Sequence, residues 1–241
     1  MPQPTIINAG SDNTSSDTTA YLADSETGAA RQYSSISIPA NANTVCFHVG
    51  LHVPPDAHSV DSITATGGGV EIVNFIPVAP DSQYRTARIL VIDVSHLGAF
   101  TCTVNITLNT ATTVGSILGV VCTDGFLESI STTVDKQIDQ PKHVVYTPNY
   151  ENNIIAITGH CDDDVTGHFT MTTGTALFEK VDSKTQASSF AFSQSTNSSG
   201  TKTVEYVSDL LAFEATIATY VFSSQKNPFE QGQGMLRNVV R

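Results

Sequence analysis

From Ser35 onward, apolar and polar residues alternate with a period of two over much of the chain. That is the pattern of strands with one covered face. Val45, Phe47, Val49, Leu51 and Val53 are separated by Cys46, His48, Gly50 and His52, and the run stops at Pro54-Pro55. The pattern predicts a half-buried strand whose histidines point at solvent or at a neighbouring subunit. Ser62-Ile63-Thr64 leads into a turn or bulge at Gly67-Gly68-Gly69, and Val70 to Val78 forms the next strand. Arg88 to Val94 is a continuous β-branched run, expected where both faces are covered. Phe100, Cys102, Val104, Ile106 and Leu108 alternate with Thr101, Thr103, Asn105 and Thr107, one face core and one face threonine. Val114 to Cys122 follows and is closed by Asp124-Gly125.

Residues 126–150 are more polar, contain Pro141 and Pro148, and read as a long crossover with one weak helical pattern over Leu127–Ile138. Strands resume at Ile154–Thr158, His168–Thr172, Ala187–Phe192, Thr201–Val207 and Ala215–Ser223. Asn197-Ser198-Ser199-Gly200 reads as a hairpin loop between two of them. Residues 1–34, rich in Ser, Thr, Asp and Gly, read as an extended N-terminal arm, and 225–241 as a C-terminal tail. Between them, residues 35–224 carry roughly eight to ten short strands, which indicates an all-β sandwich of jelly-roll type.

Composition narrows the function classes. At 241 residues with 40% hydrophobic side chains the chain can bury a substantial core. It carries 11 Lys and Arg against 23 Asp and Glu, a formal charge of −12. Residues 1–135 contain no lysine and only Arg31, Arg85 and Arg88 as cations. A phosphate-binding surface needs clustered cations, so the sequence argues against nucleic acid and anionic lipid as partners. The start, MPQPTIINAGSDNTSSD, lacks a basic segment followed by an apolar one, and no stretch approaches 18 apolar residues. The expectation is a protein made in a cytoplasm without a signal peptide and without a membrane span. Cys46, Cys102, Cys122 and Cys161 form no C-x-x-C pair and read as buried free thiols.

Two stretches, 60–125 and 154–223, share a recognisable style. The first runs through Ser62-Ile63-Thr64, the glycine turn, the Arg88–Val94 strand, the threonine strand after Gly98 and an apolar strand ending in Thr123-Asp124-Gly125. The second contributes the Asp162–Asp164 loop and Ser199-Gly200-Thr201 entering a strand. In spacing and turn chemistry this resembles the jelly-roll structural proteins of phage and phage-like virions, of decoration, spike or fibre-associated type. The resemblance implies a place on a particle surface, with other virion proteins and further copies as partners.

Candidate chemistry is sparse. His160, Asp162, Asp164 and His168 are the one group of metal-ligand types, with oxygens suited to Ca²⁺ and imidazoles suited to Zn²⁺. Their spacing matches neither an EF-hand nor a zinc finger, and an acidic loop between strands is the commoner meaning of such a run. No G-x-S-x-G elbow occurs, Gly67-Gly68-Gly69 lacks a P-loop lysine, and no carboxylate pair stands out. No catalytic residue and no cofactor site is assigned. A glycan platform would need exposed aromatics; the chain has no Trp, and Tyr84, Tyr146 and Tyr150 are its loop candidates. The sequence therefore points to a non-enzymatic virion structural protein held by its terminal arms. The alternative is a carbohydrate- or receptor-binding module for host attachment.

Overall fold

The computed structural model describes residues 2–10, 22–23, 28–52, 60–73, 76–78, 85–112, 116–135, 142–161, 169–171, 174–182, 187–197, 200–208 and 215–226. The described residues fold into antiparallel strands throughout. The first half carries β1 (Ile6–Gly10), β2 (Leu22–Ala23), β3 (Gly28–Ile38), β4 (Thr44–His52), β5 (Val60–Gly67), β6 (Val70–Val73), β7 (Ile76–Val78), β8 (Arg85–Asp93), β9 (Phe100–Thr112) and β10 (Ser116–Thr123). The second carries β11 (Phe126–Asp135), β12 (Lys142–Tyr146), β13 (Asn153–Cys161), β14 (Phe169–Met171), β15 (Thr175–Asp182), β16 (Ala187–Thr196), β17 (Lys202–Ser208) and β18 (Ala215–Ser223).

Each half makes two sheets of its own. In the first half the orders are β1-β10-β4-β8-β7, with β2 also on β10, and β3-β9-β5-β6. In the second they are β11-β18-β13-β16-β15 and β12-β17-β14. The two orders superpose strand for strand: β11 takes the place of β1, β18 of β10, β13 of β4, β16 of β8 and β15 of β7. In the outer sheets β12, β17 and β14 take the places of β3, β9 and β5. Each half is thus a jelly roll, and the chain is two of them in tandem.

Three hydrophobic layers hold four sheets together. Tyr33, Phe47, Val104, Ile106 and Val120 fill the first sandwich, while Ile155, Ile157, Phe190, Val204 and Ile217 fill the second. A third layer, with Cys46, Ile89, Val121, Ala156, Ala218 and Tyr220, joins β4, β8 and β10 to β13, β16 and β18. The large central sheets therefore lie back to back and are covered on both faces. The sheets with order β3-β9-β5-β6 and β12-β17-β14 form the outside, with Thr101, Thr107 and Thr203 exposed.

Several sequence expectations change on this frame. Residues 1–34 are not an arm outside the fold, because β1 pairs with β10 and β3 crosses the boundary at 34/35 to pair with β9. Residues 11–21 and 24–27, which carry much of the Ser, Thr and Asp of this stretch, lie outside the described residues. The single sandwich over 35–224 is two sandwiches. The helical pattern at Leu127–Ile138 is strand β11 as far as Asp135, the rest lying outside the described residues; Leu127 and Ile130 face the central layer and Ser129, Ser131, Thr132 and Thr133 are exposed. Alternation with hydroxyl residues had the look of a polar crossover. Val70 to Val78 is divided between β6 and β7, which belong to different sheets. The Asn197–Gly200 segment joins β16 to β17, also in different sheets, so it is a sheet-to-sheet connection and not a hairpin. The glycine turn stands as expected. Gly67 pairs with Val70, and Gly68 and Gly69 have φ of 59° and 80°, the two left-handed positions of a tight hairpin.

Candidate functional site

The polar side chains that could support chemistry meet in the seam between the central sheets. β4 was expected to be half-buried, yet Thr44 to Gly50 are all buried. Val45, Phe47 and Val49 enter the first sandwich, and the alternate positions face β13 and β18 of the second jelly roll. His48 is 2% exposed. Its Nδ1 lies 2.9 Å from Thr158 Oγ1, and the Thr158 hydroxyl donates to Tyr220 Oη at 3.2 Å. On the other side of the ring, Nε2 lies 3.4 Å from Thr216 Oγ1, which also reaches the His160 carbonyl at 3.4 Å. A neutral ring with its proton on Nδ1 fits this chain of donors. His48 is a satisfied interface histidine, as its surroundings require, but the interface is internal to the chain and faces neither solvent nor another subunit.

One turn of pleat further on, Gly50 faces the His160 imidazole. A Cβ at position 50 would overlap that ring, so the glycine is there for space. The contacts advance together, 48 with 158 and 50 with 160, so β4 and β13 run in the same direction across the seam. Both jelly rolls consequently have their strand starts at Thr44 and Asn153, and their strand ends at Thr123 and Ser223, at one pole.

That pole is tied by short-range polar contacts. Gln3 Nε2 donates to the carbonyls of Asn153 and Thr196 in the second jelly roll, at 3.1 and 3.2 Å, while Thr5 bonds Asp124. Thr44 Oγ1 donates to Gly125 O at 2.7 Å. Lys226, just after β18, bridges to Asp93 at the end of β8 at 2.6 Å and lies 5.5 Å from the Phe126 ring centroid. Burial would raise the Asp93 carboxyl, but the bonds from Lys226 and Ser95 outweigh it and hold it below the ordinary carboxylate range.

Burial dominates the titrations in the interior. It pushes His48 down to about 4, so the ring is neutral at neutral pH. It pushes Cys102 and Cys122 up to about 12, and Cys46 and Tyr220 well above their ordinary values. Cys46, Cys102 and Cys122 are free buried thiols, as expected. They are protonated and enclosed, which is the opposite of what a nucleophile needs.

The sequence candidates for metal binding do not come together as a described site. His160 is 1% exposed and sits in the seam, not on a loop, while Asp162, Asp164 and His168 lie outside the described residues. Among the described residues no group of three His, Cys, Asp or Glu side chains could hold an ion. Of the three tyrosines, Tyr146 is buried at 8% in the second core, Tyr150 is half-buried, and Tyr84 lies outside the described residues. Tyr146 was expected in a loop; its place at the end of β12, packed on Ile155 and Phe192, explains the burial. Sequence reasoning missed Thr158, Thr216 and Tyr220, whose polar atoms gain meaning only once the second sheet is laid on the first. Among the described residues no helix is long and apolar enough to cross a membrane.

No family model matches the chain, and no curated protein matches it. Among solved structures it is similar to the STIV MCP, a viral major capsid protein, at 9% identity and a TM-score of 0.30, over 96% of this chain and 100% of that one. It is also similar to the N-terminal CBM22-1-CBM22-2 tandem domain of Paenibacillus barcinonensis Xyn10C, at 9% identity and a TM-score of 0.25, over 94% and 92%. The likeness is one of all-β fold. Strand order and cores define the class directly: an all-β protein of two tandem jelly rolls.

Proposed function

We propose that this chain is a non-enzymatic structural protein of a phage-like virion, displayed as a capsid decoration or a tail- or spike-associated subunit. The observation that supports this most strongly is where the reactive side chains lie. His48, His160, Cys46, Cys102, Cys122 and Tyr220 are all within the interior; His48 bonds Thr158 across the contact between the two jelly rolls, while Cys102 and Cys122 lie in the first core. What faces outward on the described strands of the outer sheets is largely hydroxyl, with Thr101, Thr107, Ser37 and Thr203 exposed. Such a surface suits neighbour contacts better than bond-breaking.

In this reading the partners are other virion proteins, major capsid or tail proteins, and further copies of the chain, with neither nucleic acid nor membrane involved. The subunit is made in the host cytoplasm and resides in the virion. Exposed sheet edges such as β6, β12 and β15 would be covered by those neighbours. Anchoring through residues 1–34 is withdrawn, since β1 and β3 are part of the sheets; the segment after Lys226 is the remaining candidate connector.

Quantitative mass spectrometry of density-purified particles from the producing host tests the proposal. A fixed stoichiometry relative to the major capsid protein is expected. Absence from particles, with retention of the chain on immobilised glycans, would replace it with the carbohydrate- or receptor-binding alternative.

A further inference from the structure

We propose that the seam between the two jelly rolls is an acid-sensitive joint, in which protonation of His48 loosens the central sheets from one another before either sandwich loses its own core. The inference is independent of the virion role. It rests on what surrounds the ring. Thr158 of β13 and Thr216 of β18 bond the ring, Tyr220 lies beyond Thr158, His160 packs against Gly50 two residues along β4, and Gly119 of β10 and Ile89 of β8 pair with His48 on either side. None of these is a carboxylate. A proton arriving on His48 would create a buried cation with no anion beside it, next to a second imidazole. A charge in that position is strongly disfavoured unless water reaches it. The depressed titration of His48 agrees with this geometry.

Among the described residues neither hydrophobic core holds an imidazole, and the buried carboxylate of Glu128 on β11, which accepts from the Asn149 N–H, gains no positive charge when it is protonated. The first core is aliphatic and aromatic with Cys102, Cys122 and Tyr33, and the second has Tyr146 as its titratable side chain. Thiols and phenols are already neutral and gain no charge as the pH falls. The Asp93–Lys226 bridge crosses the same seam and is also lost on protonation, though its partners are half exposed and its contribution is small.

The cysteines report on the seam without any added probe, because Cys46 faces it while Cys102 and Cys122 face the first core. Full-length protein is pulsed with 4,4′-dithiodipyridine, which reacts with thiols in acid, between pH 7 and pH 4, and labelling is resolved by peptide mass spectrometry. The joint predicts that Cys46 labelling rises relative to Cys102 and Cys122 by about tenfold or more toward the His48 titration near 4. In His48→Gln, which keeps a hydrogen-bonding side chain but takes no proton, that rise should disappear. Equal labelling of all three thiols as the pH falls would mean global unfolding and would overturn the joint. So would a Cys46 that stays protected throughout. The wild-type ratio decides the matter even if the variant fails to fold.

Discussion

Nδ1 of His48 lies 2.9 Å from the hydroxyl of Thr158, a residue 110 positions further along the chain. The two occupy matching central strands of successive jelly rolls, β4 and β13, and meet where the second half is laid on the first. The same arrangement recurs one pleat on, where Gly50 yields its volume to His160. Residues at corresponding places are therefore complementary and not alike, which is what a contact between two folded halves requires.

Removing the Thr158 hydroxyl should weaken this contact. Thr158→Val removes the hydroxyl from the imidazole, which keeps the Thr158 backbone bond, and leaves the Tyr220 hydroxyl short of a partner, at a cost of about 1–3 kcal/mol. Urea unfolding of Thr158→Val, His48→Leu and the double variant should give a sum of single losses larger than the loss in the double. Simple additivity would show that the two side chains do not interact.

Gly50→Ala should destabilise by overpacking, by about 1–3 kcal/mol, since the new methyl overlaps the His160 ring. Shrinking the obstacle should help: in a His160→Ala background the same change should be nearly neutral. An equal penalty in both backgrounds would contradict the close approach.

Stability should depend on pH through His48. Its folded value, about 4, lies below the ordinary 6.5, so the unfolded chain binds the proton more readily. The stabilising difference is complete above 6.5 and is lost as pH falls from there toward 4, a change on the order of 3 kcal/mol. Chemical unfolding followed across that window should show the slope in wild type and a reduced slope in His48→Gln. Matching slopes would remove His48 as the cause.

The Lys226 clasp should matter little by itself. Its side chain is 49% exposed and that of Asp93 30%, so Lys226→Ala should cost less than about 1 kcal/mol, and less still in high salt. A thermal-shift comparison at two salt concentrations measures this directly.

The elements legible in the sequence were those with an uninterrupted apolar pattern, whether one face is wet, as in β9, or both are covered, as in β18. The alternation over Phe100–Leu108 lies within β9, and Ala215–Ser223 is β18. β4 was recognised as a strand but its surroundings were not. Cys46, His48 and Gly50 look like an outward face because the sheet that covers them comes more than 100 residues later. β11 and β12 went unseen because period two is blurred in them: in β11 Ser129, Ser131, Thr132 and Thr133 are all exposed, and in β12 the apolar Val145 is 61% exposed at an edge. The tandem arrangement left no visible repeat because matching positions hold Cys46 and Ala156, His48 and Thr158, or Gly50 and His160. Each pair was shaped by the other half and not by a common pattern. The buried thiols were readable from their apolar neighbours, whereas the hydroxyl network around His48 was not.

The measurement that bears most directly on the structural role is the sedimentation mass of the full-length protein over a range of concentrations at neutral pH. A subunit whose edges are completed by copies and neighbours should form a defined oligomer that dissociates on dilution. A monomer at every concentration, with no association with particles, would contradict it.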